Sequence, residues 1–192
     1  MEIAQRSRKA LRLPGYDYSQ SGAYYVTVVT RGRQLLFEDA SLKECVHQTW
    51  EKLQSRFPQV ILDTFVVMPN HLHGIVIINS ETNGDVGAIH ELPLPDGRAH
   101  RRQMLLPKII GYFKMNPAKR INSLRCTVGA SVWQRNYYEH IIRSEVELAR
   151  VREYIQNNPL QWELDEENPA NAVGAIHELP LLLLKERLCS NP

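Results

Sequence analysis

The sequence predicts an α+β fold: an antiparallel sheet in ferredoxin-like order, with helices on one face and a further C-terminal helix. Two observations carry this. Runs of β-branched and aromatic residues alternate with stretches whose apolar residues recur every three or four positions, in the order strand, helix, strand, strand, helix, strand, helix. The composition, 43% apolar and 23% charged over 192 residues, fits one globular domain with a substantial core and excludes fibrous or largely disordered classes.

Each element has its own signal. Tyr24-Tyr25-Val26-Thr27-Val28-Val29-Thr30 follows Ser21-Gly22 and stops at Arg31-Gly32-Arg33, so it reads as a strand. Over 41–57, Leu42, Val46, Trp50, Leu53 and Phe57 fall at spacings of three and four, and Pro58 closes the run, which predicts an amphipathic helix. A second strand is expected over 60–68. Turn chemistry at Met68-Pro69-Asn70 leads into an apolar strand over 71–78, a hairpin with His71 at the start of its second arm.

Residues 79–102 contain Asn83-Gly84, Pro93, Pro95 and Asp96-Gly97 with little periodicity, and are expected to form an inserted surface loop. A second helix is predicted over 104–115. Trp133-Gln134-Arg135 leads into a fourth strand over 137–143. Ser144, with Glu147 three positions on, opens a last helix through Leu148, Val151, Tyr154 and Ile155 that stops before Pro159. Residues 1–15 read as a basic arm and 163–192 as a tail outside the core.

A net charge of +2 decides little, but its distribution is informative. Arg6, Arg8, Lys9 and Arg12 precede the first strand, and Arg98, Arg101, Arg102, Lys108, Lys114, Lys119, Arg120 and Arg125 crowd the middle, while acidic residues gather at 145–167. Such segregation suits a phosphate backbone on one face, with a solvated charged surface as the alternative. The three cysteines are widely spaced and never paired as Cys-x-x-Cys, which argues against a disulfide framework or zinc knuckle and for a reducing cytoplasm. No apolar stretch reaches membrane-spanning length and the start lacks a signal-peptide core, so the protein is expected to be neither exported nor anchored.

One repeat stands out. Val-Gly-Ala-Ile-His-Glu-Leu-Pro-Leu occupies 86–94 and recurs verbatim at 173–181. Two identical short copies far apart are unlike a structural repeat, whose units are longer and drift. The genetic code permits GTA GGG GCA ATT CAT GAA TTG CCC CTA C for this peptide, a string equal to its own reverse complement. This suggests hairpin-forming DNA elements inserted in frame, one in a loop and one near the C-terminus, where insertions are best tolerated.

Side chains two apart on a strand share a face, so His71 and His73 project together and can grip one divalent ion, or else satisfy hydrogen bonds at a strand start. Tyr154 and Asn158, four apart on the last helix, place a phenol and an amide on one face. Taken alone these are a half-buried aromatic and a helix stop. Together with the His pair they form a set in which a metal polarises a phosphate while tyrosinate attacks phosphorus. Tyr137 and Tyr138 rank below Tyr154 as nucleophile: only one of two successive strand residues can face the histidines, and neither has an amide one helical turn away.

Met68-Pro69-Asn70-His71-Leu72-His73 before an apolar strand, Trp133-Gln134-Arg135, and Tyr154-Ile155-x-x-Asn158-Pro159 resemble the single-tyrosine HUH transposases, and within them the REP-associated tyrosine transposase branch. The likeness spans roughly 14–162. It implies a ferredoxin-like fold, Mg²⁺ or Mn²⁺ held by His71, His73 and Asn158, and Tyr154 as nucleophile. It further implies transesterification through a 5′-phosphotyrosine at single-stranded DNA hairpins of repetitive palindromic elements, by a monomer or homodimer acting at the nucleoid. Arg6, Arg8, Lys9, Arg12, Arg101, Arg102, Lys108 and Arg135 are the candidate DNA contacts. Two alternatives stand beside this reading: a catalytically inactive hairpin-binding relative, and a His-x-His metalloenzyme acting on small molecules, for which the sequence offers no further compelling ligand set.

Overall fold

The computed structural model describes residues 16–79, 104–164 and 168. The basic arm, almost all of the expected inserted loop, both copies of the nonapeptide and most of the tail lie outside the described residues. The elements follow in the expected order. They are β1 (Gly22–Val29), α1 (Ala40–Arg56), β2 (Val60–Val67), β3 (His71–Ile78), α2 (Leu105–Leu124), β4 (Tyr138–Ile142) and α3 (Glu145–Asn157), with short 3₁₀ turns at Arg31–Arg33, Leu36–Glu38 and Asn158–Leu164.

The four strands form one sheet in the order β2-β3-β1-β4, every neighbouring pair antiparallel. With the two preceding helices this is the ferredoxin-like α+β arrangement the element order implied. β1 and β3 are central and sheathed on both faces, so they read as almost continuous apolar runs. On one face Tyr24, Val26, Val28, Leu72, Val76 and Ile78 pack against Val46, Trp50 and Leu53 of α1 and Ile109, Phe113 and Ile121 of α2. On the other, Tyr25, Ile75 and Ile142 pack against Leu148, Val151 and Ile155 of α3. The C-terminal helix thus lies across the sheet face opposite α1 and α2.

Three local devices shape this frame. Gly74 lets Trp50 approach the sheet, since a Cβ there would lie 2.5 Å from the indole. Trp50 in turn stacks on Phe65 at a ring separation of 4.3 Å. The β2–β3 register shifts between Leu62 and Phe65, a bulge that holds Asp63 and Thr64. Asp63 takes a two-pronged bond from Arg152 of α3, 2.9 Å from Nε to Oδ1 and 2.5 Å from the terminal nitrogen to Oδ2.

Element ends differ from expectation in one large respect. The helix expected over 104–115 continues to Leu124, through Pro117. An interior proline costs about 3 kcal/mol. Phe113, Pro117 and Ile121 are all buried on the core side, and burying such side chains contributes about 1.5–3 kcal/mol each, enough to carry the helix past the break. α3 ends at Asn157, before Pro159 as expected, and the chain continues into the 3₁₀ segment. No helix among the described residues is long and apolar enough to cross a membrane.

Candidate active site

The turn between β2 and β3 delivers the two histidines. Met68 N–H bonds the His71 carbonyl at 2.8 Å, Phe37 N–H bonds the Pro69 carbonyl at 2.9 Å, and Thr30 N–H bonds the Asn70 carbonyl at 2.8 Å. The turn is therefore pinned beneath the segment that leaves β1. Both imidazoles are buried and face α3, and their Nε2 atoms lie 3.0 Å apart. Leu72 and Gly74 face the α1–α2 layer, as the strand alternation requires.

The hydrogen bonds behind the rings set what the facing nitrogens can do. Asn70 directs Nδ2 toward the Arg33 carbonyl at 3.5 Å, which turns its Oδ1 to His71 Nδ1 at 2.7 Å. His71 therefore donates from Nδ1 and keeps a lone pair on Nε2. His73 Nδ1 meets two hydroxyls, Tyr25 at 2.7 Å and Thr27 at 2.9 Å. A hydroxyl can donate or accept, so this pair serves both tautomers of His73. With the proton on Nε2, His73 bonds His71 directly; with it on Nδ1, two lone pairs face one point.

Burial pushes the His71 imidazole down to about 3, helped by the Arg33 charge, and burial with the neighbouring His71 holds His73 well below its ordinary value. Both rings are thus neutral at pH 7, the form that ligates a cation. Two imidazoles sharing one cation at bonds of about 2.0–2.1 Å, with an angle between right and tetrahedral, bring their nitrogens roughly 3.0–3.4 Å apart. The observed spacing fits that.

The α3 side supplies the rest. The Tyr154 ring meets His73 edge-on at 5.4 Å and Tyr25 at 6.3 Å. Trp162, from the 3₁₀ segment, lies 5.9 Å from His71. Asn158 sits between these two contacts in the chain and is buried, with its Oδ1 lacking any hydrogen-bond partner among the described residues. A buried carbonyl oxygen without a donor costs about 1–3 kcal/mol. A cation would satisfy it. Among the described residues no group of three His, Cys, Asp or Glu side chains can hold a metal, and the Asn158 amide oxygen is a further donor that could join the two imidazoles.

The fold brings His71, His73 and Tyr154 to one end of the sheet, with Asn158 buried and lying between Tyr154 and Trp162 in the chain. Tyr138 lies on the same face, its ring 6.4 Å from Tyr25 and its phenol pushed up by burial, while Tyr137 is buried in the opposite core. Arg135 is exposed beside Gln134, whose N–H bonds the carbonyl of Val29, the residue paired with His71. Trp133 is a core residue: its indole N–H bonds the Lys114 carbonyl and its ring packs on Phe37. Lys108 is exposed on α2, the helix layer across the sheet from the histidines, and so is not gathered into the site. Arg6, Arg8, Lys9, Arg12, Arg101 and Arg102 lie outside the described residues.

Sequence reasoning missed Tyr25, Thr27, Asn70 and Trp162. The signal for the first two was present: a phenol and a hydroxyl at alternate positions of an otherwise apolar central strand, hence on one face.

No family model matches the chain. It is 37% identical over 169 residues to an uncharacterized Haemophilus influenzae protein, covering 83% of this chain and 92% of that one. A second Haemophilus influenzae protein, provisionally named a REP-associated tyrosine transposase, is 27% identical over 153 residues, 76% of this chain and 74% of the relative. The likeness to a named protein is thus to a REP-associated tyrosine transposase. Two solved structures are similar: a REP-associated tyrosine transposase bound to a REP hairpin (TM-score 0.48, 20% identity, 86% of this chain and 77% of that one), and a provisionally named Deinococcus radiodurans transposase (TM-score 0.46, 17% identity, 76% and 97%).

Proposed function

We propose that the chain nicks and rejoins single-stranded DNA at palindromic hairpins of repetitive elements, by transesterification through Tyr154. The observation that carries this reading is the convergence of a phenol from α3 and two neutral imidazoles from β3 at one end of the sheet, with a buried amide oxygen following in the 3₁₀ segment.

Tyr154 Oη attacks the scissile phosphorus and loses its proton to solvent. The bond from phosphorus to O3′ breaks, O3′ takes up a proton, and the products are a 5′-phosphotyrosine and a free 3′-hydroxyl. One phosphodiester replaces another, so the step is reversible, and a second 3′-hydroxyl can displace the tyrosine to join strands. His71 Nε2, His73 Nε2 and Asn158 Oδ1 would hold the cation, Mg²⁺ or Mn²⁺, which when bound polarises the phosphate. Asn70, Tyr25 and Thr27 orient the imidazoles, and Trp162 shields His71 on its helix side. Arg135, at the same sheet end, and the basic residues of the N-terminal arm are suited to the phosphate backbone.

Incubating the protein with Mn²⁺ and a single-stranded hairpin oligonucleotide should give an adduct that survives boiling in detergent. Folded protein that forms none would be the inactive DNA-binding relative. An adduct that persists in Tyr154→Phe would place the nucleophile elsewhere.

A further inference from the structure

The nonapeptide repeated at 86–94 and 173–181 carries coding constraints that point back to the substrate. The chain leaves the sheet at Asn79, whose N–H bonds the Gln59 carbonyl. It returns at Met104–Leu105–Leu106, tied to Tyr18 and Ser19: Tyr18 N–H meets the Met104 sulfur, Leu105 N–H bonds Ser19 Oγ, and Leu106 N–H bonds the Tyr18 carbonyl. The second copy follows the 3₁₀ segment. Both copies lie outside the described residues, and the verbatim identity of nine residues is a property of the sequence.

DNA symmetry gives a reason for that identity. For a palindrome in this frame, first codon bases must pair with first codon bases about a centre that falls between the second and third bases of the His90 codon. All five such pairs are complementary: His90 with Glu91 (C with G), Ile89 with Leu92 (A with T), Ala88 with Pro93, Gly87 with Leu94, and Val86 with Pro95 (each G with C). The remaining pairs match a second base with a third base, where codon degeneracy always offers a solution. The second copy repeats the pattern, and the base it needs beyond the nonapeptide is supplied by Leu182, whose codon can also begin with C.

We propose that both copies are translated from a palindromic DNA element, nine codons and one further base long, that this enzyme itself recognises as a hairpin. This rests on the function proposed above and adds the sequence of the substrate and its presence twice within the chain's own gene.

Reading the codons at the two places is the first test: if either copy fails to form an inverted repeat, the proposal is overturned. The second is binding of the full chain, at fixed salt, to the snap-cooled hairpin GTAGGGGCAATTCATGAATTGCCCCTAC and to a hairpin of equal stem length and base composition with its pairs reordered. The element should bind at least about tenfold more tightly, the discrimination expected when one or more base pairs are read. Equal affinity overturns the proposal. A pool of random-stem hairpins with Mn²⁺ separates it from the underlying activity. Tyr154-dependent adducts on the pool but not on this element leave the activity standing and remove the element as substrate. No adduct on either removes the activity itself, while tighter binding of the element still identifies what the chain recognises.

Discussion

Asn158 holds its carbonyl oxygen in the interior without a donor among the described residues, a cost to the fold that a bound cation would offset. Asn158→Leu is therefore expected to leave the metal-free thermal midpoint unchanged or raise it, while Mn²⁺ affinity measured by calorimetry falls at least about tenfold. A structural role alone would lower the midpoint and leave Mn²⁺ binding as it was. Behind His73, the two hydroxyls share one nitrogen, so Tyr25→Phe alone leaves Thr27 in place. The double variant Tyr25→Phe with Thr27→Val removes both, and its Mn²⁺ affinity should drop about 10–100-fold, as is typical when groups that orient a ligand are lost. These partners were hidden in the sequence because they lie 46 and 48 residues from His73 and meet it only through the β1–β3 register. His71, His73, Tyr154 and Asn158 could be singled out as candidates because two motifs of fixed spacing hold them.

α3 carries the candidate nucleophile, and its position is fixed by an apolar stripe on one side and by the Arg152–Asp63 pair at the β2 bulge. The guanidinium bond holds the Asp63 carboxyl down at about 2, against an ordinary 3.8. Because the folded value is the lower one, this contribution to stability is present above about pH 3.8 and is lost as pH falls from there to about 2. Acid titration followed by circular dichroism should show that loss in the native chain and not in Asp63→Asn. On the other sheet face, Gly74→Ala places a methyl 2.5 Å from Trp50, and urea denaturation should register about 1–3 kcal/mol of destabilisation. The bulge and the close approach of Trp50 arise from packing between β3 and distant elements, so neither had a local signature. Ser144 did: its hydroxyl accepts from Glu147 N–H at 3.2 Å, as the Ser-x-x-Glu spacing implied. α2 outran its expected end for the converse reason, since Pro117 is a local stop signal that burial of Ile121 overrides.

Among the described residues one sheet separates two cores, and the candidate site occupies an end of the thinner one, where α3 and the 3₁₀ segment after it cover β1 and β3. The alternation of strand and helix patterns was enough to imply the sheet order, because an antiparallel hairpin after the first strand–helix unit leaves few ways to bury both arms. That arrangement carries Tyr154 from the C-terminal helix onto histidines from the middle of the chain, and covalent capture of DNA there is the centre of the account. Trypsin cleavage after Arg152 releases a peptide, ending at Lys185, in which Tyr154 is the only tyrosine. After reaction with Mn²⁺ and hairpin DNA, followed by nuclease and trypsin, mass spectrometry should find the nucleotide phosphate on that peptide. Nucleotide found on a peptide bearing Tyr137 and Tyr138 instead, or on none from folded protein, would contradict it.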